Sequence, residues 1–205
     1  QRLPDRMDWL WVVVGFISGS LPLAVWVGKY GFNKDIRQYG DGNPGSFNVI
    51  RSGGIAWGGL ALMLEITKGA LPVGLAVQVF GISGAPLVAA AIAPPLGHAF
   101  SPWLRFNGGK AVASVFGVWI GLTLWQIPLI GMLTLTILAL ILTVSGWAVM
   151  LMMVVILIYL LLTAAPFTWL AVWLGHLLIF GWKHRTELNH LPHLKLPFFL
   201  SHLYR

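Results

Sequence analysis

No Asp, Glu, Lys or Arg occurs from Ala111 to Trp182, and none from Gly69 to Leu104. A helix needs only about 20 apolar residues to cross a bilayer, so each run is long enough for at least one crossing. Only 9% of the chain is charged, against roughly 25% in soluble domains, which leaves too little polar surface to face water on all sides. The sequence therefore predicts an all-α integral membrane protein, one polytopic domain over 1–205.

Hydropathy and the Gly and Pro breakers place seven spans near 9–28, 55–80, 84–100, 111–125, 127–144, 146–164 and 167–182. The lead-in to Trp9–Val27 is mixed in sign and further spans follow, so this stretch is expected as a retained first helix, not a removed leader. Parity then gathers Lys29, Lys34, Arg37, Arg51, Arg105, Lys110, Lys183, Arg185, Lys195 and Arg205 on one side, and only Arg2 and Arg6 on the other. Cytoplasmic loops carry the excess of Lys and Arg, which predicts an outside N-terminus and a cytoplasmic C-terminus. The net charge of +7 suits loops facing anionic head groups or phosphorylated substrates, and the apolar bulk argues against nucleic acid. The chain has no cysteine, no HExxH or comparable ligand spacing and no internal repeat, so neither disulfides nor a metal or cofactor is expected.

Three polar, glycine-rich segments fall on the predicted cytoplasmic side. In "YGDGNPGSFNVIRSGG" (39–54), Gly40, Gly42 and Gly45 let backbone N–H groups turn toward one point, as an anion requires. Asn43 and Asn48 add side-chain donors, and Arg51 adds a planar fork. In "GHAFSPWLRFNGGKAVAS" (97–114), Gly108, Gly109 and Lys110 open a helix whose N-terminus favours an anion, with His98 and Arg105 at the entrance. In "WKHRTELNHL" (182–191), His184 is a candidate base, while Lys183 and Arg185 read as markers of the membrane boundary. His190, His193 and His202 lie in a Pro-containing amphipathic tail suited to the interface.

Two further stretches lie inside predicted spans. Glu65 and Lys68 in "EITKG" are one turn apart, and such intramembrane ions serve either function or the locking of helices. "SGSLPLA" (18–24) places small residues and a proline in the first span, where close packing accounts for Gly19 and Ser20.

Taken in order, these motifs resemble those of the bacterial acyl-phosphate-dependent glycerol-3-phosphate acyltransferases over nearly the whole chain. "GSLP" (19–22) resembles that family's Gly-Ser-x-Pro motif, and "GDGNPGSFNVIRSGG" (40–54) its GSGNxGATNVxRxxG motif. "EITKG", "GHAFSPWLRFNGGKAVAS" and "HRTE" (184–187) resemble its DxxKG, GHxxPxFxxFKGGKGVAT and HRxN motifs, with one residue inserted before the proline of the second. The resemblance implies seven helices in a bacterial inner membrane, motif loops on the cytoplasmic face, and transfer of a long acyl chain from acyl phosphate to the 1-hydroxyl of glycerol 3-phosphate. It implies phosphate-binding roles for Gly40, Gly42, Asn43, Gly45, Asn48, Arg51, His98, Gly108, Gly109 and Lys110, and a catalytic role for His184.

The departures sit in the anion site. Asp41 stands where the family has serine, Asn107 where it has lysine, and Glu187 where it has asparagine. Asp41 is expected to turn away from phosphate, to pair with Arg51, or to act as a base. Asp41 and Glu187 join His184 as candidate catalytic residues on the acyltransferase reading. On a second reading the fold persists without the reaction, as a lipid-binding or structural subunit held to protein partners by its 11 tryptophans. Five residues after His98 stands Trp103, so the HxxxxD signature of thioester-dependent acyltransferases is absent, as is a GxSxG elbow.

Overall fold

The computed structural model describes residues 5–195. Arg2, Arg205 and His202, used above for sidedness and for the amphipathic tail, lie outside them. The described residues form helices and contain no β-strand, only one antiparallel bridge between Leu142 and Leu194.

The first apolar stretch is broken. Helix α1 (Leu10–Ser20) stops at Leu21, which is extended because Pro22 excludes the helical conformation from the residue before it. The chain resumes as α2 (Leu23–Trp26) and a π-turn over Val27–Gly31. After the polar loop come α3 (Ser46–Gly53) and α4 (Ile55–Gly74), the latter continued by a π-turn over Leu75–Val79. The remaining helices are α5 (Gly84–Ala99), α6 (Val112–Thr123), α7 (Gln126–Ile141), α8 (Ser145–Leu162), α9 (Phe167–Lys183) and the single turn α10 (Arg185–Leu188).

Among the described residues, four helical stretches are long and apolar enough to cross a membrane: Arg6–Gly31, Ile55–Val79, Gly84–Leu104 and Ser145–Leu162. The outward faces agree. Leu129, Met132, Leu133, Ile137 and Leu140 of α7 are all exposed, as a lipid-facing side requires.

Small residues set the tightest pairings, those of α4 with α6 and of α1 with α5. A Cβ at Gly117 would overlap the Ile66 carbonyl oxygen, and one at Gly19 the backbone of Pro94. Lipid offers no hydrophobic drive between helices, so close backbone approach supplies the packing that replaces it. Trp119, Met152, Met153, Ile156, Leu160 and Phe180 fill the centre where α6, α8 and α9 meet. The polar loops collect at one end of this bundle, where Lys183 at the end of α9 donates to the carbonyls of Ala99 and Gly108.

Candidate active site

The break in the first helix leaves backbone groups without helical partners, and the intramembrane ions supply them. Lys68 Nζ donates to the Leu21 carbonyl at 2.8 Å, and Glu65 Oε1 accepts from the Ala24 N–H at 3.1 Å. Glu65 Oε2 lies 2.6 Å from Lys68 Nζ and 2.9 Å from His98 Nδ1. All three side chains are buried. Ser101 Oγ donates to the Ser20 carbonyl at 2.6 Å, tying the loop after α5 to the same break. Three motifs far apart in sequence thus meet in one buried network. Its observed contacts are the locking of helices, and they place His98 beneath the polar loops rather than in the cleft wall.

Above this network opens a cleft of about 510 Å³, lined by residues of three segments. Loop 35–44 contributes Asp35, Arg37, Gln38, Asp41, Gly42, Asn43 and Pro44. The loop before α6 contributes Leu104, Asn107, Gly108 and Lys110, and α9 contributes Lys183. Of the sequence-predicted residues, Asp41, Gly42, Asn43, Gly108 and Lys110 line it.

Three of the loop amides, those of Gly42, Asn43 and Gly45, turn inward rather than toward an anion. Gly40 and Gly42 take positive φ (59° and 72°), and the turn they allow folds the loop onto itself. The N–H of Gly42 donates to the Tyr39 carbonyl, that of Asn43 to Asp41 Oδ1, and that of Gly45 to the Asn43 carbonyl. Asn48 is buried and gives Nδ2 to Asp41 Oδ1 at 3.0 Å and to the Asn43 carbonyl at 2.9 Å. Gly40 lacks the Cβ that would overlap Arg51 Nη1 and Asn48 Oδ1. Arg51 is exposed and reaches Asn48 Oδ1 at 3.4 Å, so it does not pair with Asp41.

Of the "NGGK" amides, those of Asn107, Gly109 and Lys110 are likewise engaged. Gly109 N–H donates to the His98 carbonyl, and Lys110 N–H to Asn43 Oδ1, both at 3.1 Å. The glycines serve close packing: a Cβ at Gly108 would overlap the His98 carbonyl oxygen, and one at Gly109 the His98 ring. The Lys110 side chain lines the cleft.

Lys110 Nζ lies 2.7 Å from Asp41 Oδ2 and also pairs with Glu187 Oε1. Glu187 Oε2 accepts from Ser145 Oγ at 2.8 Å and stands 3.3 Å from His184 Nδ1. Ser145 opens α8, so the carboxylate also meets the positive end of that helix. Gly146 leaves the room for Glu187 to lie there. Ser145 escapes a reading of the sequence because its partner is 42 residues away and "SGW" looks like nothing more than a helix start. Lys183 escapes for the opposite reason: a lysine ending an apolar helix has an ordinary explanation. His184 is 1% exposed and outside the cleft lining, and its Nε2 is buried without a hydrogen-bond partner.

The charges tune one another. The His184 hydrogen bond, with Lys110 and Ser145, outweighs burial and holds the Glu187 carboxyl well below the usual range. Burial pushes Asp41 upward, but the hydrogen bond from Lys110 and those within the loop bring it below its ordinary value. Lys110 is pushed down by burial and raised further by Asp41 and Glu187, ending above its ordinary value. All three stay ionised at neutral pH.

An apolar helical bundle with a cationic, loop-built cleft at one end defines a membrane protein with a polar site. The model of the glycerol-3-phosphate acyltransferase family matches residues 9–193, and the chain belongs to that family. It is 32% identical over 189 residues to glycerol-3-phosphate acyltransferase of Desulfovibrio desulfuricans, covering 90% of this chain and 82% of that protein. It is 38% identical over 126 residues to glycerol-3-phosphate acyltransferase 1 of Thermotoga maritima, a match that covers 60% of this chain but only 62% of that protein. Its fold is similar to the crystal structure of PlsY (YgiH), an integral membrane glycerol 3-phosphate acyltransferase, in the glycerol 3-phosphate form. The TM-score is 0.81 at 25% identity, over 97% of this chain and all of that one. The lysophosphatidic acid form of the same protein gives a TM-score of 0.80 at 26% identity, over 89% of this chain and 90% of that one.

Proposed function

We propose that this protein transfers a long acyl chain from acyl phosphate to the 1-hydroxyl of glycerol 3-phosphate, giving lysophosphatidic acid and inorganic phosphate. The observation that carries this reading is the placement of Lys110, Lys183 and Arg37 around one cleft at the end of an apolar bundle. Such a cleft suits two phosphorylated substrates, one of them with a tail that needs lipid. Family membership and the glycerol 3-phosphate and lysophosphatidic acid forms of the PlsY fold support it.

In the proposed step, the hydroxyl oxygen attacks the acyl carbonyl carbon as the bond from that carbon to the phosphate oxygen breaks. Phosphate leaves with the electron pair, and the hydroxyl proton passes to it or to Asp41. Acyl phosphate already carries a good leaving group, so positioning and charge stabilisation suffice. Lys110 supplies the charge that receives the acceptor's phosphate, and Lys183 and Arg37 line the same cleft. Asn43 and Asn48 shape the loop, and Glu187 and His184 act through Lys110 as positioning residues. The phosphate-binding assignments of Gly40, Gly42, Gly45, Arg51, His98, Gly108 and Gly109 become loop-shaping roles on this reading.

We infer seven crossings of a bacterial inner membrane within a single domain, with the N-terminus outside and the cleft on the cytoplasmic face. The excess of Lys and Arg in the cleft-side loops supports that sidedness. The test is acyl transfer by the purified protein from palmitoyl phosphate to labelled glycerol 3-phosphate, with Lys110→Ala alongside. Labelled lysophosphatidic acid from the wild type and its loss in Lys110→Ala is the expected result. No product from a folded wild type would refute the reading.

A further inference from the structure

We propose that Asp41 and Glu187 set how tightly this chain binds its acceptor: Asp41 occupies the anion cradle from within, and the acceptor's phosphate binds by displacing that carboxylate from Lys110. The inference rests on the acyltransferase reading for the identity of the acceptor, but the displacement itself does not.

The donors on Asp41 are the kinds a phosphate uses. Oδ1 collects the Asn43 N–H at 3.2 Å and Asn48 Nδ2 at 3.0 Å, and Oδ2 collects Lys110 Nζ at 2.7 Å. A main-chain amide, a buried side-chain amide and an ammonium thus converge on one internal carboxylate. The other cations lining the cleft are also partnered. Arg37 is held in a two-pronged pair by Asp35, with Nε–Oδ1 at 2.9 Å and Nη2–Oδ2 at 2.7 Å. Lys183 Nζ donates to the carbonyls of Ala99 at 3.1 Å and Gly108 at 2.8 Å. An arriving phosphate therefore exchanges places with a group already bound.

The two carboxylates differ in how readily they yield. The Asp41 side chain is 46% exposed and sits on a loop, whereas that of Glu187 is 23% exposed and pinned by Ser145 and His184. Asp41 is the displaceable half, and Glu187 keeps Lys110 in place while lowering the site's net positive charge. Both stand where the family resemblance calls for an uncharged side chain, so Lys110 faces two more negative charges than in that pattern.

The test uses the full-length protein in detergent, with Asp41→Asn, Glu187→Gln and the double variant. Binding of inorganic phosphate is followed by calorimetry, and kcat and KM for glycerol 3-phosphate by acyl transfer. Each single variant is expected to tighten phosphate and lower KM for glycerol 3-phosphate by about three- to tenfold, with the double variant tighter than either. Asp41→Ser, which removes the charge but keeps a small hydroxyl, is run as a second probe of the same position. Phosphate binding that is unchanged or weaker in both Asp41 variants, measured on folded protein, overturns the proposal. A structural role for Asp41 predicts that weakening together with a lower unfolding temperature. If the wild type makes no lysophosphatidic acid, the acyltransferase reading fails alone, because the calorimetry still decides whether Asp41 competes with phosphate.

Discussion

Asp41 and Lys110 stand 69 residues apart in sequence and 2.7 Å apart in space, and their ion pair joins the glycine loop to the start of α6. Removing the ammonium leaves two carboxylates facing one another across the position of Nζ. Lys110→Ala is expected to lower kcat/KM for acyl transfer by about 100-fold or more, the scale of losing one preorganised charge donor. Lys110→Arg retains the charge and should recover part of the activity. Steady-state kinetics on the three proteins, with circular dichroism to confirm folding, checks this.

The buried Glu65–Lys68 pair completes the broken first helix, so its loss should be felt as stability. Glu65→Gln leaves Lys68 as a buried charge without its counter-ion, a change that typically costs about 3–5 kcal/mol. Glu65→Gln combined with Lys68→Met removes both charges and should be less harmful than the single change. Thermal unfolding in detergent reads the order of the three proteins; a single variant as stable as wild type would remove the pair's locking role.

Much of this was readable before the fold was seen, and the reasons differ by residue. Apolar runs without charge have few ways to satisfy their backbones, which is why helices follow from them directly. Glu65 and Lys68 stood out because an ion inside such a run demands a partner, although the Leu21 and Ala24 backbone groups it serves lie in another segment. The chemistry of loop 39–54 was legible in type and misleading in direction. Gly40 and Gly42 take the positive φ that lets the loop turn sharply, but spacing does not say whether amides face outward or fold onto Asp41. That choice is fixed by Asn48 and Lys110, and Lys110 comes from a distant stretch. The same holds for Ser145, whose contact with Glu187 exists only because α8 starts beside α10.

The ion-pair chain also gives stability a pH dependence with a definite sign. Asp41 and Glu187 have folded values below their ordinary ones, so their contribution is present above the ordinary carboxylate range, roughly pH 4. It is lost as pH falls through the lowered values. Lys110, raised in the fold, contributes below its ordinary value and loses that contribution as pH climbs through the raised one. The unfolding temperature of the wild type should therefore drop more between about pH 6 and about pH 3 than that of Glu187→Gln, which has no charge to lose at that site. Equal slopes would mean that the Glu187 contacts add nothing to folding.

Gly108 offers a test of how the cleft is held open from below. A Cβ there would overlap the His98 carbonyl oxygen and crowd the backbone of Ala99, neither of which can rotate away. The same stretch of α5 receives the Gly109 N–H, and Lys183 ties it to the loop by donating to the carbonyls of Ala99 and Gly108. Gly108→Ala should therefore push loop 105–110 off the end of α5, at a cost of about 1–3 kcal/mol from overpacking. Because Lys110 rides on that loop, activity should fall by more than the loss of stability alone explains, with KM for glycerol 3-phosphate rising. Gly59→Ala, where a Cβ meets nothing within 4 Å, is the matched control and should leave both properties near wild type. If Gly108→Ala behaves like Gly59→Ala, the cleft floor is softer than this packing implies, and the position of Lys110 is set by its carboxylate partners alone.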